Sequence, residues 1–173
     1  SAIRVNSWRK VFQSNGIAEL HFIWETGLME ELRDVLLGKE SFVKERVAGI
    51  SDWWDDWVEK ASQLLGYPLW QEMRTDAEIA FDQPSAAGRY FIAKLVTALA
   101  KAKSAPKVHL VCNSAGSIWM GHLLDAWKAA KGKPIDNLIF FAPACTVDFF
   151  FERYAPHLKN KLIKSSYLFQ LDN

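Results

Sequence analysis

The stretch Val108-His109-Leu110-Val111-Cys112-Asn113-Ser114-Ala115-Gly116-Ser117 decides how the chain is read. An apolar, β-branched run ends abruptly in small and polar residues, and a helical pattern starts at once with no linker between them. Such a run favours a pleated strand. A strand that turns straight into a helix needs small residues where the two backbones approach each other. The residue at the apex is held out into solvent, and here it is Ser114.

Working outward, strands and helices alternate. Upstream, Ser85 is placed to cap a helix whose stripe is Ile92, Leu95, Val96 and Leu99, and Ser104-Ala105-Pro106 leads into a strand over Lys107 to Val111. Downstream, Ser117 to Lys131 reads as a helix stopped by Gly132, with Pro134 just beyond. Ile135 to Phe141 is the next strand, followed by Ala142-Pro143-Ala144. Asp148 to Tyr154 is an aromatic short helix, Lys161 to Lys164 a connector and Ser166 to Leu171 a last strand, before Asp172. Alternating strands and helices predict an α/β fold with a mostly parallel sheet covered by helices on both faces. Ligand sites in such sheets lie at the carboxyl ends of the strands.

The first third of the chain is less regular. Val5, Trp8, Val11 and Phe12 recur at helical spacing, and Asn15-Gly16 supplies a stop. Ile17 to Trp24 reads as a buried strand that ends at Glu25-Thr26-Gly27. Residues 28–84 read as a helical insertion: Leu28 to Leu37, Ser41 to Leu65, a break at Gly66-Tyr67-Pro68, and a further short helix within Leu69 to Phe81. Strand-to-helix connections are usually a handful of residues, so a segment this long marks a cap-like subdomain of one α/β domain. Four of the eight tryptophans, Trp53, Trp54, Trp57 and Trp70, fall in it. They suit either the cap's own small core or an apolar wall beside a site.

Composition removes several classes. The chain has 173 residues, with 21 Lys plus Arg against 20 Asp plus Glu. No charge excess points to nucleic acid or an anionic membrane. No apolar run approaches the roughly 18 residues of a membrane span. Two cysteines, Cys112 and Cys145, make no disulfide scaffold; with no signal-peptide pattern, they predict a cytoplasmic setting. No Gly-rich phosphate loop, no G-x-G-x-x-G and no metal-spaced cluster appears, so neither cofactor nor metal is expected.

At the elbow, the first turn of the following helix leaves the Ala115 N–H without an intrahelical acceptor. A hydroxyl beside such a donor has the makings of a nucleophile with half an oxyanion hole. The frame Cys112-Asn113-Ser114-Ala115-Gly116 differs from the G-x-S-x-G nucleophile elbow only in Cys112. Cysteine is larger than glycine, so the close packing of the turn is expected to be strained. The whole run His109 to Ser117, with the next strand ending in Ala142-Pro143-Ala144, resembles the α/β-hydrolase superfamily.

That resemblance implies a serine esterase or lipase acting on a small-molecule ester, with Ser114 as nucleophile and the Ala115 N–H as oxyanion donor. Strands 17–24, 107–112, 135–141 and 166–171 would match the family's fourth to seventh. The acid would be Asp172, after the seventh strand, with Asp148 as runner-up. Asn113, Thr26, Phe149 and Phe150 are the candidate substrate-pocket residues. The family's third strand and second oxyanion donor would precede Ser1, and its histidine would follow Asn173. Sheet edges left open by those segments would self-associate or dock them.

The histidines present do not supply the base. His109 lies five residues before Ser114, about 16 Å at strand rise. His122 lies eight beyond it, about 12 Å along a helix. His21 falls inside the first strand as a core or subunit-contact residue, and His157 follows the sixth strand, out of the family's order. With no base in hand, the alternative is a non-catalytic α/β-hydrolase-like binding or assembly module.

Overall fold

The computed structural model describes residues 2–22 and 70–170. Thr26, Asp172, the tryptophans at 53, 54 and 57 and most of the 28–84 insertion lie outside the described residues. The chain divides into two compact units, Ser1–Glu59 and Lys60–Asn173.

In the first unit, α1 (Ala2–Ser14) ends where Asn15-Gly16 predicts. Gly16 adopts φ +68, a left-handed conformation that costs glycine nothing for want of a Cβ. The Gly16 N–H donates to the Gln13 carbonyl at 3.1 Å and the Ile17 N–H to that of Phe12 at 2.9 Å. These two bonds form a Schellman cap. The strand expected next is not formed over residues 17–22. Strands exist only where backbone donors and acceptors have a ladder partner, and the described part of this unit contains no second strand. Ile17, Leu20 and Phe22 are exposed. Of the two places expected for His21, a core or a subunit contact, the core is not the one it takes: it is exposed, with Nε2 2.9 Å from Glu19 Oε2.

The second unit is α/β. Its elements are α2 (residues 70–82), α3 (Ala87–Ala100), β1 (His109–Asn113), α4 (Gly116–Ala129), β2 (Ile135–Phe141), α5 (Val147–Arg153), α6 (Ala155–Lys159) and β3 (Ile163–Phe169). The strands form a parallel sheet in the order β1-β2-β3, with Cys112 opposite Phe140 and Phe140 opposite Leu168. Cys112, Leu138 and Phe140 join one core with Ile92 of α3 and with Met120, Leu123, Leu124 and Trp127 of α4. The predicted stripe Ile92, Leu95, Val96 and Leu99 faces that core. At the carboxyl ends of the strands, Val111 and Phe141 alternate with these core positions and are exposed, and on β3 Tyr167, Leu168 and Phe169 are all exposed. Among the described residues, cover on both faces is therefore not complete.

Several boundaries move for identifiable reasons. Ser85 caps nothing: α3 starts after Ala86, whose N–H closes a turn onto Gln83. Gly88 sits so close to the end of α2 that a Cβ there would meet the Ala80 carbonyl at 2.6 Å, so this turn is set by packing. β1 begins at His109 rather than Lys107, because the Asp136 carboxylate takes the Val108 N–H at 2.9 Å. The same carboxylate accepts from Lys164 Nζ at 2.7 Å, tying the start of all three strands together. The Lys164 hydrogen bond, then that from Val108, pulls the Asp136 pKa down to about 2. β3 starts at Ile163, three residues before the expected position, where Ile163 is buried opposite Ile135.

Candidate functional site

β1 turns into α4 through Ser114 and Ala115. Ser114 has φ 48, a left-handed conformation that non-glycine residues rarely adopt. Its backbone is held from both sides. The Ser114 N–H donates to the Phe141 carbonyl at 3.0 Å, across the end of the sheet. Its carbonyl accepts from the Ser117 N–H at 3.0 Å, the Ser117 hydroxyl at 2.8 Å and the Ala144 N–H at 3.1 Å. Ser117 is fully buried, its Oγ accepts from the Cys145 N–H at 3.1 Å, and its own carbonyl accepts from the Tyr154 hydroxyl. The loop after β2 and the end of α5 are thus bolted to the elbow through Ser117.

The Ser114 side chain is exposed, as is Asn113 beside it. Among the described residues, the N–H groups of Ala115 and Gly116 have no hydrogen-bond partner. The N-terminus of α4 also has no side-chain cap. Here a hydroxyl in solvent stands beside free donors at the positive end of a helix dipole.

Cys112 does not strain the turn as expected. A Cβ placed on Gly116 would meet the Cys112 Cβ at 3.8 Å, ordinary van der Waals contact. The thiol is buried, which pushes its pKa up to about 12, with Cys145 adding to the effect. At neutral pH it is a packed, protonated thiol and no nucleophile.

The remaining candidates are dispersed. Asp148 is exposed in the first turn of α5, behind Thr146, whose Oγ1 caps that helix by accepting from the Phe149 N–H at 3.2 Å. An acid there complements the helix dipole. Phe149 packs onto α4, where a Cβ on Gly121 would meet its ring at 2.6 Å. Phe150 stacks on Tyr154 at 5.5 Å and lies 6.2 Å from Phe140. Both rings pack against the core and stay half-buried, so the side chains expected to line a pocket also hold α5 in place. Phe151 is the exposed member of the aromatic run.

The histidines of this unit are engaged away from Ser114. His109 Nδ1 lies 2.8 Å from Asn137 Nδ2 on the sheet. His157 is buried with Nε2 3.2 Å from Asp125 Oδ1, and Arg153 Nη1 reaches the other oxygen of that carboxylate at 2.6 Å. Burial works to raise the Asp125 pKa, but the hydrogen bonds from His157 and Arg153 outweigh it and hold the group below the usual range. Asp125 is eleven residues along α4 from Ser114, about 16 Å at helical rise. His122 is buried nearby against Phe149, 5.7 Å away. Burial first, then the Arg153 charge, lowers its pKa and favours the neutral ring.

This second cluster escaped the sequence. Glu78 and Asp82 come from α2, Arg89 from α3, His122 and Asp125 from α4 and Arg153 from α5, and together they line one cavity. The local signals are two pairs, His122 with Asp125 at i, i+3 and Glu78 with Asp82 at i, i+4, each on one helix face. Among the described residues no group of three His, Cys, Asp or Glu side chains could hold a metal ion, and no helix is long and apolar enough to cross a membrane. In comparison with known proteins, no family model, curated protein or solved structure matches this chain.

Proposed function

We propose that the chain carries the nucleophile elbow of a serine hydrolase of α/β-hydrolase type, acting on small-molecule esters. The observation that carries this reading is the left-handed, solvent-exposed Ser114 between a parallel strand and a helix. Left-handed non-glycine backbone is a strained state that persists where the surroundings over-determine it, and it clusters at active sites. In this reading the Ser114 Oγ attacks the ester carbonyl and its proton passes to a base. The Ala115 N–H donates to the oxyanion that develops as the carbonyl becomes tetrahedral. Collapse of that intermediate expels the alcohol and leaves an acyl group on Ser114, which water then removes. Asp172, with Asp148 second, is the acid that the resemblance implies. Two free thiols suit the cytoplasmic setting that belongs to this reading.

The hydrogen bonds that hold His109 and His157 elsewhere, and the place of His122 in a separate cavity, favour a second reading, a non-catalytic α/β-hydrolase-like binding or assembly module. Fluorophosphonate labelling of the native polypeptide, followed by peptide mapping, separates the two. The hydrolase reading expects an adduct on Ser114 that Ser114→Ala abolishes, together with hydrolysis of a p-nitrophenyl ester. Folded protein that takes no label at Ser114 overturns it in favour of the module.

A further inference from the structure

The cavity between α2, α3, α4 and α5 has a volume of about 190 Å³ and is lined by Glu78, Asp82, Arg89, His122, Asp125 and Arg153. Not all of these charges are available to a ligand. Asp125 is used twice, by Arg153 and His157, and Arg153 is used by Asp125 and Glu152. That leaves Arg89 as a cation with no ion pair, and Glu78 and Asp82 as carboxylates with no cation within 4.0 Å, among the described residues. Asp82 accepts only from the Gln83 amide, at 3.2 Å. His122 lines the same cavity, 8% exposed, with no hydrogen-bond partner among the described residues. The Arg89 Nε is itself buried without an acceptor. Buried polar groups are paired in the great majority of cases, and an orphaned one needs an explanation.

The unpaired charges have opposite signs and line the same open cavity, Arg89 half-buried and Glu78 and Asp82 exposed, and no ion pair joins them. A simple anion would answer Arg89 and be repelled by Glu78 and Asp82. A simple cation would do the reverse. A molecule carrying both a carboxylate and an ammonium group answers both, and the neutral His122 ring offers it one further donor or acceptor. The volume falls below the roughly 300 Å³ at which drug-sized pockets begin, so the ligand is small.

From this arrangement we infer that the cavity is a binding site for a small zwitterionic amino-carboxylate of the size of an α-amino acid. Its carboxylate faces Arg89 and its ammonium faces Glu78 and Asp82. The site is separate from the elbow and does not depend on the role of Ser114.

The test is an NMR titration of the full chain with alanine, acetate or methylamine, following the His122 ring resonances. Alanine is expected to shift them saturably, with acetate and methylamine each about tenfold weaker, as befits ligands that satisfy one charge only. Arg89→Met and the pair Glu78→Gln with Asp82→Asn should each weaken alanine binding to the level of the monopolar probes, while Ser114→Ala leaves it unchanged. Absence of a saturable response to alanine, an equal response to acetate, or alanine binding that survives in folded Arg89→Met protein would each overturn the assignment.

Discussion

The two ends of α4 both carry a left-handed residue that is not glycine, and they use it differently. At the C-terminal end Lys131 has φ 57. Its N–H donates to the Lys128 carbonyl at 3.0 Å and that of Gly132 to the Trp127 carbonyl at 2.9 Å. The left-handed residue there closes a helix, and its cost is offset by carbonyls that would otherwise be unsatisfied. The Trp127 indole seals the end by donating to the Lys133 carbonyl at 2.8 Å. At the N-terminal end Ser114 has φ 48 and leaves the Ala115 and Gly116 donors open. Strain at Lys131 satisfies the helix, whereas strain at Ser114 presents a side chain. The difference is the physical reason to look for chemistry at one end of the helix and for stability at the other.

That contrast can be broken or sharpened by substitution. Trp127→Ala should have the largest effect, about 3–5 kcal/mol of lost stability in a urea titration, because a fully buried aromatic leaves a cavity and takes the Lys133 bond with it. Loss of fluorophosphonate labelling in the still-folded variant would show that the two ends are not independent. Gly121→Ala, midway along the helix, should cost about 1–3 kcal/mol by driving a Cβ into the Phe149 ring and to 3.2 Å from the Arg153 Cβ. A neutral result there would mean that α5 is free to retreat.

Asp136 supplies a pH signature at the other end of β1. Its pKa is depressed in the folded state, so its contribution is full above the unfolded value near 4 and is lost as pH falls toward about 2. The wild-type midpoint should therefore fall more steeply over that window than that of Asp136→Asn, and parallel curves would contradict the Lys164 and Val108 bonds. Gly116→Ala should have the smallest effect, within about 0.5 kcal/mol, since the new methyl meets nothing closer than 3.8 Å. A large loss at this position would mean that the turn packs more tightly than the Cys112 contact shows.

The elbow was legible because its determinants are local. A β-branched run, a polar apex and small residues before a helix occupy ten consecutive positions, and the order strand, helix, strand follows from them. The caps at Gly16 and Lys131-Gly132 were legible for the same reason, although the left-handed position fell on Lys131 and not on its glycine neighbour. What Phe149 and Phe150 pack against was not legible, since that depends on which residues the fold brings to face them. Gly121 faces Phe149, and Phe140 with Tyr154 faces Phe150.

The run 17–22 failed as a strand for a related reason. Its apolar pattern is correct for one, but pairing is a property of two segments and not of one.

By itself, then, the sequence determined the parallel α/β order of the second unit and the position of Ser114 at a strand-to-helix turn. Both follow from periodicity and residue size over short spans. The left-handed state of Ser114 was decided by tertiary structure, through the bonds from Phe141, Ala144 and Ser117 that clamp it. So was the charged cavity around Arg89 and His122, whose six polar and charged residues are scattered over 76 positions and converge only when four helices pack.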